Sequence, residues 1–310
     1  MEYLFCTDSL SKYYGTFHAL DGLSMHVPEG SIYGFVGENG AGKTTLIRLL
    51  CGLQYPSEGG FTLLGKDSKD TDIASVRRKM GAVVETPAIY YDMTAAENLR
   101  QQYCILGTHQ SESVEEMLKL VGLDHVGHKK VKNFSLGMRQ RLGIAMALAG
   151  NPDFLILDEP TNGLDPQGII EIRKLIIKLN QEHHITILIS SHILNELSKL
   201  ATHYGFIAHG KMIQEITASE LEEACGKRVY MEVSDAKVLA QVLTQMQVQY
   251  TILSKTSVCI HKQMNITQLA LKLYEEKCEI FTCSEQDESL EEYYLKLIED
   301  GQNTGGEDDE

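Results

Sequence analysis

The residues Gly37-Glu38-Asn39-Gly40-Ala41-Gly42-Lys43-Thr44 have the types and the spacing of the G-x-x-x-x-G-K-[ST] loop that cradles phosphate oxygens. Gly40 and Gly42 let the backbone turn its amides toward an anion, and a helix beginning at the loop aims its positive dipole end at the same charge. Lys43 adds a point charge for the outer phosphates. The Thr44 hydroxyl suits magnesium, which takes oxygen ligands and keeps several waters. Far downstream, Phe154-Leu155-Ile156-Leu157-Asp158-Glu159-Pro160 is an apolar run ending in two acids, with Pro160 unable to continue a hydrogen-bonded ladder. Asp158 is placed to hold a hydrated magnesium ion, and Glu159 to polarise a water for attack on a γ-phosphate. Alone, the two acids read equally well as a solvated strand end. With the phosphate loop upstream, they point to binding and hydrolysis of a nucleoside triphosphate, with magnesium as cofactor.

Those groups need a scaffold that brings them together. The strand-like run 31–36 leads into the loop and Leu46-Ile47-Arg48-Leu49-Leu50 follows at helical spacing, the strand-loop-helix setting this motif requires. Up to about His209, apolar strand runs alternate with helical stretches, which predicts an α/β domain with a largely parallel sheet. The runs 154–157 and 185–189 are continuously apolar, as buried strands of such sheets are. From 86 to 150 the strand signal vanishes, and helices are expected over 95–106, 112–121 and 136–149, forming a helical subdomain within a domain spanning 1–216. After Lys211 the order changes to strand 229–233, helix 235–246, strands 248–253 and 256–261, helix 266–277 and strand 279–283. This split β-α-β-β-α-β order predicts a small α+β domain of ferredoxin-like type over 217–300. Residues 301–310 hold glycine and acid but no apolar side chain, so a disordered acidic tail is expected there.

Bulk properties narrow the function classes. The net charge is −15, and from Lys211 onward 9 basic residues face 20 acidic ones. A nucleic-acid partner is therefore not expected, because neutralising phosphates takes an extended basic surface and the nearest thing to one is Lys129, Lys130 and Lys132. No apolar run approaches the roughly 18 residues of a membrane span, and the first residues lack a secretory pattern, so the expectation is a cytoplasmic protein. The 7 cysteines are scattered without a C-x-x-C pair, which argues for free thiols over zinc or a disulfide frame.

With Phe134-Ser135-Leu136-Gly137-Met138-Arg139-Gln140 standing where a Leu-Ser-Gly-Gly-Gln signature would precede a helix, the chain resembles the ATP-binding subunit of an ABC transporter. The Leu136 and Met138 variations, with Glu85 where most members have glutamine, resemble the bacitracin and lantibiotic resistance group. The resemblance implies an ABC-type P-loop NTPase core that hydrolyses ATP with Mg2+. It implies that Tyr14 stacks on adenine, that residues 37–44 with Thr45 hold the phosphates, and that Thr44, Glu85 and Asp158 serve the metal. It makes Lys43, Glu159 and the switch histidine His192 the catalytic set. Ser135 and Gly137 would face the γ-phosphate bound by an opposing subunit, and Asp165 in Asn162-Gly163-Leu164-Asp165-Pro166 would lie at the contact between subunits. The implied partners are a second nucleotide-binding subunit, with a homodimer permitted because every motif of a complete site is present, and separate membrane permease subunits. The permease would be engaged through the helical insertion, especially 87–99, and would hold the chain at the inner face of the cell membrane. The rival readings are a soluble ABC protein acting on ribosomes or DNA, and a non-transporting regulator that uses ATP as a switch.

Overall fold

The computed structural model describes residues 2–107, 114–225, 227–261, 265–287 and 290–304. The chain divides into two compact units, Met1–Ala218 and Ser219–Glu310. The first unit opens with the strands β1 (Tyr3–Tyr14), β2 (Phe17–Pro28) and β3 (Ile32–Val36), then helix α1 (Lys43–Leu50), strands β4 (Glu58–Leu63) and β5 (Lys66–Asp67), helix α2 (Ile73–Arg77) and strand β6 (Met80–Val83). Three helices follow, α3 (Ala95–Leu106), α4 (Val114–Leu120) and α5 (Leu136–Leu148). The unit continues with β7 (Phe154–Asp158), α6 (Pro166–His183), β8 (Thr186–Ser191), α7 (Leu194–Leu197), β9 (His203–Ala208) and β10 (Lys211–Thr217).

Two sheets share this unit. One has six strands in the order β10-β9-β3-β8-β7-β6, parallel throughout except for β10. Its strands β3, β7 and β8 are buried along their whole length, which is why they read as unbroken apolar runs. The other is a four-stranded antiparallel sheet, β2-β1-β4-β5. This second sheet departs from the expected simple alternation. The β1–β2 hairpin turns through Gly15, whose φ of +62° suits a residue without a β-carbon, and its strands mix apolar with polar positions, including the buried Thr7 and Ser11. The two sheets share one core in which Phe5, Leu20, Phe35, Ile47, Phe61 and Phe154 meet, with Phe5 centred 6.0 Å from the ring of Phe61 and 6.4 Å from that of Phe154. Full burial of each such side chain favours folding by about 1.5–3 kcal/mol, so this core holds α1 against the strands.

The helical insertion forms where the strand signal vanishes. Helix α3 has the expected bounds, α5 ends one residue early, and the expected start of α4 at Glu112 lies outside the described residues. Helix α5 packs on β6, and the approach is close: a β-carbon at Gly81 would stand 2.3 Å from the carbonyl oxygen of Ala147.

Helix α8 (Ala218–Ala224) starts at the last residue of the first unit, and the second unit continues with β11 (Lys227–Val233), α9 (Ala236–Gln245), β12 (Tyr250–Ile252), β13 (Ser257–Ile260), α10 (Ile266–Glu275), β14 (Ile280–Asp287) and α11 (Leu290–Thr304). Its sheet is antiparallel in the order β12-β13-β11-β14, over a core of Val229, Met231, Leu239, Leu243, Ile260 and Leu269. Gly301 to Thr304, expected in the disordered tail, continue α11, and 305–310 lie outside the described residues.

Candidate active site

The phosphate loop joins β3 to α1. Gly42 caps the helix at a φ of +112°, and a β-carbon there would lie 2.5 Å from the carbonyl oxygen of Ala19. Both facts require glycine, and they leave the amides of the first helical turn without intrahelical acceptors. Lys43 folds back over the loop, its Nζ donating to the carbonyls of Gly37 at 2.6 Å and Glu38 at 3.0 Å. Burial of this ammonium lowers its pKa, partly opposed by the negative charges of Glu159 and Asp158.

The acids sit at the ends of the parallel strands. Register pairs Asp158 with Ser190 on β8, and the Ser190 hydroxyl donates to Asp158 Oδ1. Asp158 Oδ2 accepts from the Thr44 hydroxyl at 3.0 Å. Asp158 is 1% exposed, so a carboxylate and a hydroxyl stand side by side where water is scarce. Two hard oxygen donors beside a phosphate cradle fit magnesium, which also draws ligands from substrate phosphates and water. No cluster of three or more His, Cys, Asp or Glu able to hold a metal occurs among the described residues.

Glu159 follows in left-handed backbone, φ +50°, its amide donating to the carbonyl of Ser190 at 3.2 Å and its hydroxyl at 3.1 Å. Its carboxylate lies 3.6 Å from Lys43 Nζ and 2.7 Å from His192 Nδ1. Lys43, Thr44, Asp158, Glu159 and His192 are thus brought together. A carboxylate held between an imidazole and an ammonium can take a proton from water and share the resulting charge.

Other expected site residues stand apart. Tyr14 ends β1 with a ring 45% exposed, its hydroxyl donating to Gln54 Oε1 and Lys12 Nζ lying 5.4 Å from the ring centre. Ser135 caps α5, its hydroxyl accepting from the amide of Met138 at 3.3 Å, and Asp165 caps α6, accepting from Gly168 at 3.2 Å. These two helix starts adjoin each other: a β-carbon at Gly163 would meet Leu136 at 3.2 Å, and one at Gly137 would meet Leu164 at 3.8 Å. Glu85, expected to serve the metal, has its carboxylate paired with the guanidinium of Arg48 on α1, a fixed opposite charge within hydrogen-bond reach.

Two residues escaped the sequence reading. Ser190 links Asp158 to the backbone of Glu159, and its signal is the polar pair Ser190-Ser191 closing an apolar strand. Arg48 had no signal beyond being the one charge within the run 46–50.

The ABC transporter family profile matches residues 20–162. The chain is 40% identical over 309 residues to the bacitracin transport ATP-binding protein BcrA of Bacillus licheniformis, covering 97% of this chain and 99% of that protein. It is 41% identical over 227 residues to the lantibiotic transport ATP-binding protein SrtF of Streptococcus pyogenes, covering 72% of this chain and 96% of that relative. Among solved structures, a dimeric post-hydrolysis state of the ATP-binding cassette MJ0796 bound to ADP and Pi is similar with a TM-score of 0.62 at 25% identity, over 69% of this chain and 98% of the cassette. The protein cbiO1 of Clostridium perfringens, part of the ABC transporter complex cbiONQ, is similar with a TM-score of 0.65 at 25% identity, over 80% of this chain and 97% of its own.

Proposed function

Since the chain belongs to the ABC transporter family of ATP-binding proteins, we propose that it binds and hydrolyses ATP to energise an exporter whose membrane permease is a separate subunit. The observation that carries this reading is the meeting of Lys43, Thr44, Asp158, Glu159 and His192 at one end of the parallel sheet. Bacitracin and lantibiotic transport are named for the relatives, so peptide-antibiotic export is the activity we infer.

In this mechanism the loop amides and Lys43 hold the phosphates, and Tyr14 stacks on adenine. Thr44 and Asp158 are the side chains that would hold Mg2+, which when bound neutralises charge on the phosphate oxygens. Glu159 accepts a proton from the attacking water as its oxygen bonds to the γ-phosphorus and the bond to the β-phosphate oxygen breaks, leaving ADP and phosphate. His192, hydrogen-bonded to Glu159, fixes the direction of that carboxylate. Ser135 and Gly137 serve the γ-phosphate of a second copy, and Asp165 lies at the contact between copies. Binding closes the pair and hydrolysis reopens it, which turns phosphate contacts into motion.

No helix among the described residues is long and apolar enough to cross a membrane. In this reading the permease provides the crossing, and the chain works against it at the cytoplasmic face. A groove of about 510 Å³ lined by Val84, Thr86, Pro87, Gln102, Leu106 and Gly143 is where a permease segment would dock.

The test compares magnesium-dependent ATP hydrolysis and ATP-dependent dimerisation in the wild type and Glu159→Gln. Hydrolysis should fall by about 10²–10⁴-fold in the variant while the ATP-bound dimer accumulates. A wild type that neither hydrolyses ATP nor dimerises would leave the regulator reading in its place.

A further inference from the structure

Strands β6 and β7 run parallel, with Val83 beside Leu157, and Glu85 and Glu159 each stand two residues beyond that last pair. Both glutamates lie in left-handed backbone, at φ +58° for Glu85 and +50° for Glu159. Residues with a β-carbon avoid this region, and where they persist in it the position is often functional. Each acid is met by a cation from the same helix. Lys43, the first residue of α1, lies by Glu159, and Arg48, further along α1, pairs with Glu85. The settings differ: the Glu159 side chain is 20% exposed and that of Glu85 56% exposed.

A triphosphate held by residues 37–44 sits at this end of the sheet, and a carboxylate projecting beside it repels it. Salt screens such repulsion only beyond about 8 Å, and β6 lies next to β7, one strand spacing of about 4.8 Å from the strand whose end carries Asp158 and Glu159. Building on the ATP-hydrolysing reading above, we propose that Arg48 is a positioning residue of the nucleotide site: its guanidinium holds the Glu85 carboxylate and cancels its charge, so that a glutamate can stand at the end of β6 without weakening ATP binding. Arg48 touches neither phosphate nor water in this role. It acts through Glu85, and its importance should vanish when Glu85 is made neutral.

The experiment titrates the full chain with a fluorescent ATP analogue and magnesium, and measures hydrolysis across MgATP concentrations, for the wild type, Arg48→Gln, Arg48→Lys, Glu85→Gln and the Arg48→Gln/Glu85→Gln pair. Arg48→Gln should weaken binding and raise KM by about three- to fivefold, with kcat within about twofold of the wild type. Arg48→Lys should recover most of the affinity, and the effect of Arg48→Gln should shrink as salt is raised. In the Glu85→Gln background, the same Arg48→Gln change should alter affinity by less than about 1.5-fold. Thermal melts check that each variant folds. Loss of affinity that is equal with and without Glu85, or no loss at all, overturns the inference while leaving wild-type turnover intact. A wild type that binds no MgATP overturns the ATP-site reading itself, and this inference with it.

Discussion

The chemical end of the parallel sheet and the loop that leaves its edge strand β6 are built in opposite ways. At the ends of β7 and β8 the contacts run from side chain to side chain among buried and half-buried groups: Thr44 to Asp158, Ser190 to Asp158, Lys43 toward Glu159. In the loop 90–94 the backbone is what is fastened. The buried Asn98 amide accepts from the amide of Tyr90 at 2.7 Å and donates to the carbonyls of Tyr90 at 3.0 Å and Thr94 at 2.9 Å. The amides of Val131 and Lys132 donate to the carbonyls of Met93 and Tyr91 at 2.9 and 2.8 Å, and Lys132 Nζ reaches Asp92 at 3.0 Å. Meanwhile the Tyr90 and Tyr91 rings are left exposed. Catalysis needs dipoles fixed before the reaction, whereas an interface needs a stiff backbone that presents side chains outward. The fastening has a further consequence. Residues 130–132 lead directly into Ser135, so the loop 90–94 is tied to the start of α5, where the Arg139 guanidinium also lies 5.9 Å from the Tyr91 ring centre.

If the chemical end depends on buried side-chain order, its weakest-looking member should still matter greatly. Ser190 is neither charged nor in line for the reaction, yet it fixes both Asp158 and the amide of Glu159. Ser190→Ala should lower kcat by about 10- to 100-fold with little change in the melting temperature, the effect expected of a hydrogen bond that supports Asp158 in its proposed role as metal ligand. Steady-state kinetics at saturating MgATP checks this. Activity within twofold of the wild type would mean that Asp158 and Glu159 hold their places without the network.

At the loop, the opposite pattern is expected. Replacing Tyr90 and Tyr91 with alanine should weaken capture of a co-expressed permease at least about fivefold, because exposed aromatics dominate contact energies, while ATP hydrolysis by the isolated chain stays within about twofold. Undiminished capture would move the partner surface away from the groove beside Pro87.

The same contrast explains what was legible in the sequence. Local motifs recur as residue types at fixed spacings, so Lys43, Thr44, Asp158 and Glu159 were readable, and His192 through the family resemblance; the structure gathers all five. Helices α3 and α5 were readable because the Thr94 and Ser135 caps and apolar periodicity act locally. Ser190 and Arg48 act through partners far away in sequence, Asp158 and Glu85, and pairings of that kind leave no local pattern. The antiparallel sheet was missed for a related reason. Strand β4 pairs with β1 across more than 40 residues, and neither strand has the continuous apolar run that announces a buried parallel strand.

The smallest expected effect lies where the loop enters α3. Thr94 and Glu97 form a reciprocal cap: the Thr94 hydroxyl accepts from the amide of Glu97 at 3.2 Å, and the Glu97 carboxylate accepts from the amide of Thr94 at 2.7 Å. Hydrogen bonds to the Glu97 carboxylate, first from the Thr94 backbone and then from the Thr94 side chain, lower the Glu97 pKa, and the Lys132 ammonium lowers that of Asp92 in the same loop. Thr94→Ala should cost about 1 kcal/mol, the usual loss for an N-cap hydroxyl. For Glu97→Gln the effect should depend on pH. A carboxylate whose pKa is lowered on folding stabilises the fold above its unfolded pKa, and that contribution disappears as pH falls through the lowered, folded value. The melting temperature of Glu97→Gln should therefore lie below that of the wild type at neutral pH, and the two curves should converge on acidification below the ordinary carboxylate range. A gap that persists unchanged in acid would mean that the cap fastens the loop through shape rather than charge. In that case the loop would be more like the chemical end, where a neutral hydroxyl such as Ser190 suffices to hold its neighbours in place.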